Sequence, residues 1–300
     1  PTLAFKDIAL QMLPQLMTRA VQIEKIAKDI IILTATSGDT GTASMRGFAN
    51  QKGTDVIVFY PEGGVSPVQL KQMLSQRGDN LRAIAIKGNF DDAQTEVKKI
   101  FNDDSFKNRL NANGYQFSSA NSMNIGRLVP QISYYLYTYG QLVRRQEIKL
   151  GDEVNFAVPT GNFGDILAGY YAKKLGLPIK KLICASNENN VLTDFFNNGV
   201  YDKRRKFHLT NAPAMDILVS SNLERLLFDL YDENNYEVAS LMNQLTQRGH
   251  YQVSGEVFTK LQKNFAAGFA TEEEVKSEIK RVYNYDRYVI DPHTAVGSFV

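Results

Sequence analysis

Short runs of apolar and β-branched residues alternate with longer helical patterns along most of the chain. The runs at 30–35, 55–60, 81–86 and 116–119 each lead through a glycine-containing or polar turn into a helical stretch. This alternation is typical of parallel sheets covered by helices, because two parallel strands can be joined only by a long crossover. The pattern predicts the α/β fold class.

A second series of the same kind begins after the polar stretch 149–153 with an apolar run at 154–159. At roughly 150 residues per domain, a chain of 300 residues is long enough for two domains. We predict a first α/β domain over 1–148 and a second over 149–300, and leave open whether the first helix packs on the second domain. A last short strand is predicted at Val289–Ile290.

The composition argues against several classes of partner. Lys plus Arg exceeds Asp plus Glu by only 34 − 32 = 2, so charge gives no reason to expect nucleic acid or an anionic membrane. One cysteine and three histidines do not make a structural metal site. The sequence predicts a cytoplasmic protein, a monomer or weak dimer, with no metal, nucleic acid or membrane partner.

Two turns between a strand and a helix share the pattern of a glycine, a polar residue, any residue and a second glycine. They are SGDTG at 37–41 and TGNFGD at 160–165. Such turns let backbone N–H groups converge on an anion beside the positive end of a helix dipole. Neither matches a dinucleotide or P-loop motif, so small phosphates or carboxylates are the predicted ligands. The alternative is that each turn only reverses the chain.

The opening PTLAFKD places Lys6 near the start of a helix with Leu3, Ala4 and Phe5 before it. Apolar neighbours favour a desolvated amine, and desolvation lowers the pKa of a lysine toward the range that suits an imine-forming nucleophile. The alternative is an ordinary solvated surface charge.

Taken together, these segments resemble the threonine synthase family, within the fold type II pyridoxal phosphate enzymes. The resemblance rests on PTLAFKD, ATSGDTGTA, PEGGVSPVQLKQM, NSMNIGRLVPQ, PTGNFGD, AMDILVSSNLERLLF and DPHTAVG. It implies two parallel-sheet layered α/β domains with pyridoxal 5′-phosphate in the crevice between them. It also implies a further domain upstream of the first residue.

The resemblance further implies roles for individual residues. Lys6 corresponds to the catalytic lysine that forms the internal aldimine with the cofactor, and Thr294 corresponds to the hydroxyl that faces the pyridine nitrogen. The cofactor phosphate is assigned to Gly161, Asn162, Phe163, Gly164 and Asp165. The substrate carboxylate is assigned to Ser37, Gly38, Asp39 and Thr40, and the substrate phosphate to Asn121, Ser122, Asn124 and Arg127.

The reaction implied by the resemblance is the conversion of O-phospho-L-homoserine and water into L-threonine and phosphate, the last step of threonine biosynthesis. Two alternatives remain open. One is another pyridoxal phosphate-dependent phospho-lyase or amino-acid dehydratase on the same fold. The other is a non-catalytic anion-binding α/β protein.

Overall fold

The chain divides into two compact units, and the division falls between Gln131 and Ile132. The structure, a computed structural model, describes residue 2, residues 4–36 and residues 38–300, apart from the side chains of residues 90 and 91. The division falls before the sequence-based junction at 148/149, because the helix that begins at Ile132 packs on elements of the second unit. The domain boundary at 148/149 remains a prediction.

The first unit is a four-stranded sheet with helices on both faces. Its strands are β1 (Asp29–Ala35), β2 (Thr54–Pro61), β3 (Leu81–Ile86) and β4 (Tyr115–Ser118). Its helices are α1 (Lys6–Ile23), α2 (Asp39–Phe48), α3 (Pro67–Leu74), α4 (Phe90–Asn102), α5 (Asp104–Ala112) and α6 (Ile125–Leu128), followed by a short 3-10 helix (Val129–Gln131).

All pairings in this sheet are parallel, in the order β3-β2-β1-β4. The central strand β1 buries alternate residues on opposite faces. Ile30 and Ile32 pack in one apolar cluster with α1 and α2, while Leu33 and Ala35 pack in another with α4. A strand covered on both faces has a nearly continuous apolar sequence, which explains the run IIILTA.

The second unit combines a parallel sheet with a separate two-stranded antiparallel pair. Its strands are β5 (Val154–Pro159), β6 (Ile179–Ser186), β7 (Val200–Asp202), β8 (His250–Gln252) and β9 (Phe265–Phe269). Its helices are α7 (Ile132–Arg144), α8 (Gly164–Lys174), α9 (Val191–Asn198), α10 (Leu223–Leu230), α11 (Asn235–Arg248), α12 (Gly255–Asn264), α13 (Glu272–Asp286) and α14 (Pro292–Phe299), and a short 3-10 helix spans Pro213–Met215.

The parallel sheet of the second unit has the order β5-β6-β9, and β7 pairs with β8. The prediction of α/β layering on parallel sheets is therefore confirmed. The predicted strand at Val289–Ile290 is wrong, because Ile290 packs as a buried side chain against α13 and α14 and pairs with no strand. No helix in the described part of the chain is long and apolar enough to cross a membrane.

Candidate functional site

Two turns of the first unit lie side by side at the carboxyl edge of its sheet. One follows β1 and leads into α2, and the other follows β4 and leads into α6. Because β1 and β4 are paired neighbours and run parallel, both turns emerge at the same edge. Open α/β sheets bind ligands at this edge. Of the predicted turn residues, Ser37 lies outside the described residues.

Lys6 is the first residue of α1 and is only 6% exposed. Its Nζ donates a hydrogen bond to Asp39 Oδ2 at 2.5 Å. Burial lowers the pKa of Lys6 and the nearby Arg127 guanidinium lowers it further, while Asp39 opposes both effects. The net result is a lysine pKa below its ordinary value, which is the condition for an amine that must lose its proton to act as nucleophile or base.

Asp39 is held as a carboxylate at the first residue of α2. Burial raises its pKa, but the Lys6 ammonium and Arg127 outweigh burial, and the pKa of Asp39 lies below its ordinary value. Its Oδ1 accepts from the N–H of Thr40 at 2.7 Å, so both carboxylate oxygens are already occupied. The side chain of Asp39 therefore orients Lys6.

The turn after β4 is fixed by its own polar side chains. Asn124 caps α6 through its Oδ1, which accepts from Gly126 N at 2.9 Å, and its Nδ2 donates to Ser119 O at 2.7 Å. Asn121 Nδ2 donates to Ala35 O at 3.4 Å, which ties this turn to the end of β1. Arg127 is buried and donates through Nη1 to Ala120 O at 2.9 Å. Ser122 lies in the same turn.

The glycine turn of the second unit follows β5 and ends at the start of α8. Phe163 has a left-handed backbone with φ of 58°, an uncommon conformation for a bulky residue, and its buried ring packs against Phe196 and Phe265. It precedes α8 and provides no side-chain hydrogen bond to the first turn. The first N–H groups of α8 therefore receive no cap from the Phe163 side chain, and this is a favourable arrangement for a phosphate.

Close packing at Gly161 leaves no room for a larger residue. A Cβ at this position would lie 2.5 Å from Ala214 O and 3.1 Å from Met215 Cα. The 3-10 helix that carries both neighbours thus supports the turn from one side.

Sequence reasoning missed a second support, the segment Ser220-Ser221-Asn222. Ser220 Oγ donates to Gly161 O at 2.7 Å and Asn222 Nδ2 donates to Asn162 O at 2.9 Å. Ser221 Oγ donates to Asn162 Oδ1 at 3.0 Å. The segment lies within the motif AMDILVSSNLERLLF that carries the resemblance, but a run of three small polar residues before a helix is by itself typical of any helix start and indicates no role in the turn.

Asp165 occupies the first turn of α8, where a carboxylate interacts favourably with the helix dipole. The hydroxyl of Tyr135, on α7, donates to Asp165 O at 2.9 Å and to Asp165 Oδ1 at 3.1 Å. Burial raises the pKa of Asp165 to about 6, and the Tyr135 hydrogen bond only partly offsets this effect. Tyr135 is a second residue that the sequence did not single out.

Thr294 lies in the first turn of α14, which packs against β5. Its N–H donates to the capping Asp291 Oδ1 at 2.7 Å, and its side chain is exposed. A Cβ on Gly297, one turn further along α14, would lie 3.1 Å from the ring of Pro159 at the end of β5. His293 accepts through Nε2 from Ala214 N at 3.2 Å, which fits the structural role expected of a packed histidine.

Comparison with known proteins agrees with these features. The family described as "Pyridoxal-phosphate dependent enzyme" matches residues 1–249. The chain belongs to this family. The pyridoxal phosphate cofactor predicted from the sequence is thereby confirmed as that of the family, and the fold type II architecture is confirmed by the solved relatives.

Individual members of the pyridoxal-phosphate dependent family align with nearly the whole chain. "Threonine synthase-like 1" of Homo sapiens is 42% identical over 100% of this chain and 41% of the relative. "Threonine synthase" of Saccharomyces cerevisiae is 40% identical over 99% of this chain and 60% of the relative. The structure of PLP-bound threonine synthase from Brucella melitensis matches with a TM-score of 0.91 and 41% identity, over 100% of this chain and 62% of that one. The chain thus spans between 41% and 62% of the length of these proteins.

The residues present fit the cofactor of this family. An aldehyde requires an amine that can shed its proton, and Lys6 is a buried amine with a lowered pKa. A phosphate requires converging N–H donors, and the start of α8 offers them behind the turn 161–163. The roles of the individual residues remain predictions.

Proposed function

We propose that the protein containing this chain is a threonine synthase, which converts O-phospho-L-homoserine and water into L-threonine and phosphate. The observation that carries the proposal is the buried Lys6 amine, paired with Asp39, in a chain that aligns over 99% of its length with a yeast threonine synthase at 40% identity.

Pyridoxal phosphate, when bound, supplies an electron-withdrawing ring that makes the protons on the α and β carbons of the substrate more acidic. The protein must then provide a base at those carbons. Lys6 Nζ is suited to this task because burial lowers its pKa, while Asp39 Oδ2 holds the amine in one orientation.

Anchoring of the substrate is assigned to the two turns of the first unit. The substrate carboxylate is assigned to the turn of Gly38, Asp39 and Thr40. The N–H groups of Gly38 and Thr40 donate to Thr36 Oγ1 and Asp39 Oδ1 in this structure, and they would exchange these partners for the carboxylate. Arg127, with Asn121, Ser122 and Asn124, binds the substrate phosphate. A guanidinium suits this role because its planar fork of N–H donors matches the geometry of phosphate oxygens.

Anchoring of the cofactor is assigned to the second unit. The turn 161–165 binds the cofactor phosphate at the start of α8, and Thr294 presents a neutral hydroxyl to the ring nitrogen. A hydroxyl gives no reason for that nitrogen to be protonated, so the ring withdraws electrons more mildly than it would beside a carboxylate.

The proposal includes a cytoplasmic location and a monomeric or weakly dimeric state. The single cysteine, which is buried and cannot form an internal disulfide, supports the location.

The test is a substrate panel with the intact, pyridoxal phosphate-loaded protein. Phosphate release and L-threonine formation should both occur with O-phospho-L-homoserine. O-phospho-L-threonine and L-serine, whose elimination would yield 2-oxo acids, should react far more slowly. Release of phosphate from phosphohomoserine without threonine, or no reaction with it at all, would reject the proposal.

A second candidate is another phospho-lyase on the same fold. The observation in its favour is that relatives named "Threonine synthase-like 1" reach 42–43% identity over the whole chain, as high as the threonine synthases themselves. In that case O-phospho-L-threonine would be the better substrate in the same panel, with 2-oxobutyrate as the product.

A further inference from the structure

Two consecutive carbonyl groups of the turn after β5 are held by side chains of one distant segment. Ser220 Oγ donates to Gly161 O at 2.7 Å, and Asn222 Nδ2 donates to Asn162 O at 2.9 Å. Ser220 is buried and Asn222 is only 1% exposed, so these bonds are shielded from competition with water. We call Ser220 and Asn222 the carbonyl clamp.

Because of peptide geometry, a carbonyl group that is held in place also fixes the direction of the next N–H donor along the chain. In a trans peptide unit the C=O of one residue and the N–H of the next lie in one plane and point in opposite directions, and the structure has no cis peptide among the described bonds. Holding Gly161 O therefore directs the N–H of Asn162 away from the clamp. Holding Asn162 O does the same for the N–H of Phe163.

The clamp is itself held in place. The N–H of Ser220 donates to the hydroxyl of buried Tyr201 at 2.8 Å, and this hydroxyl donates to Leu218 O at 3.1 Å. Asn222 has a left-handed backbone with φ of 73°, and its Oδ1 accepts from Arg225 Nε at 3.1 Å. Asparagine tolerates this backbone better than most residues, so its identity serves both the turn and the hydrogen bond.

We propose that Ser220 and Asn222 are positioning residues for cofactor binding, which fix the N–H groups of Asn162 and Phe163 in the direction required by the cofactor phosphate. The inference rests on the proposed role of the turn 161–165. It adds to that role a pair of residues that touch the turn and not the cofactor.

The experiment compares two ligands that differ only in the phosphate. Dissociation constants for pyridoxal 5′-phosphate and for pyridoxal are measured by spectral titration of the intact apoprotein. The variants are Ser220→Ala, which removes one hydroxyl, and Asn222→Gly, which removes the amide and keeps the left-handed backbone accessible. The matched control is Thr193→Val, because Thr193 Oγ1 makes a similar buried hydrogen bond to Gly268 O at 2.8 Å away from the turn.

We expect each clamp variant to bind pyridoxal phosphate about five- to tenfold more weakly, the usual effect of one lost hydrogen bond. Pyridoxal affinity should change less than about twofold by the same reasoning, because the clamp acts on phosphate donors alone. Thr193→Val should leave both constants near those of the wild type.

Wild-type affinity for pyridoxal phosphate in Ser220→Ala and Asn222→Gly would overturn the inference. An equal loss for both ligands, or the same loss in Thr193→Val, would also overturn it, since either result indicates a general structural effect. If the wild-type protein itself binds pyridoxal phosphate no more tightly than pyridoxal, the assignment of the turn fails, and with it the proposed function.

Discussion

At the residue scale, burial and neighbouring charges shift the pKa of Asp39, the partner of Lys6, in opposite directions. Burial raises the pKa of Asp39, but the neighbouring ammonium and Arg127 lower it more, so the carboxylate stabilises the folded protein at neutral pH. A carboxyl whose folded pKa is depressed contributes stability above its ordinary pKa and loses it as the pH falls through the folded value.

Asp39→Asn should therefore reduce the free energy of unfolding by about 2–3 kcal/mol at pH 7, somewhat less than the cost of breaking a fully buried pair. Urea denaturation of the apoprotein measures the change, and the difference from the wild type should vanish in acid below the aspartate range. The control is Asp104→Asn, which removes an exposed partner of Lys107 and should change the stability little. Equal effects of the two variants at pH 7 would contradict the role assigned to Asp39.

The pKa of Asp165 is shifted in the opposite direction to that of Asp39, and its effect on the stability has the opposite sign. Its pKa is raised to about 6, so the folded protein holds a proton that the unfolded chain has already lost between about pH 4 and pH 6. This carboxyl thus costs stability that is fully felt above pH 6 and is absent below about pH 4.

Asp165→Asn should raise the free energy of unfolding of the apoprotein by about 2–3 kcal/mol at pH 7.5, as expected for a shift of about two pKa units. The amide keeps an oxygen for the Tyr135 hydroxyl. Urea titrations at pH 4 and pH 7.5 should show the gain only at the higher pH. A gain of the same size at both pH values would show that the carboxyl is not the cause.

Lys6 also shows what the sequence could predict at this scale. The desolvated amine was predicted from its apolar neighbours, and the structure does bury it, but Phe5 is 52% exposed. Lys6 is buried because it shares a face of α1 with Ala9, Leu10 and Leu13. Its partner Asp39 lies 33 residues away and is brought near only by packing of α1 on α2. No local pattern encodes that contact.

At the element scale, the position of Lys6 depends on the close approach of α1 and α2. A Cβ on Gly47 of α2 would lie 2.0 Å from Leu10 O of α1. Because Leu10 O is a backbone atom, it cannot move aside as a flexible side chain could. Gly47→Ala should therefore separate the two helices and reduce the free energy of unfolding by about 1–3 kcal/mol.

The same substitution at Gly140 of α7 is the control, since a Cβ there meets no atom within 4 Å. Gly140→Ala should stabilise the protein by about 0.5–1 kcal/mol through helix propensity alone. Thermal or urea unfolding checks both values. Stabilisation by Gly47→Ala would show that α1 does not rest on α2 as described.

The sequence predicted the elements that carry strong periodicity and missed those that do not. β1, β2, β3 and β5 are apolar and β-branched, and their predicted bounds agree with the structure within one residue. β9, with the sequence FAAGF, has neither β-branched residues nor alternation, yet it completes the second sheet. Its strand conformation comes from pairing with β6, which is a tertiary effect.

At the scale of the whole molecule, the α/β class and the two parallel sheets were predictable because alternating strand and helix patterns extend through both halves. The domain boundary at 148/149, which was inferred from the polar stretch 149–153, remains a prediction. The first compact unit ends at Gln131, because α7 packs on α8, where a Cβ on Gly169 would touch the Tyr135 ring at 2.7 Å.

The central proposal is that Lys6 is the residue that binds pyridoxal phosphate covalently. Borohydride reduction of the loaded, intact protein, followed by peptide mass spectrometry, tests it directly. We expect a phosphopyridoxyl group on Lys6 in the wild type, and loss of both the label and the aldimine absorbance band in Lys6→Ala. Labelling of another lysine in the wild type, or an unchanged spectrum and activity in Lys6→Ala, would contradict it.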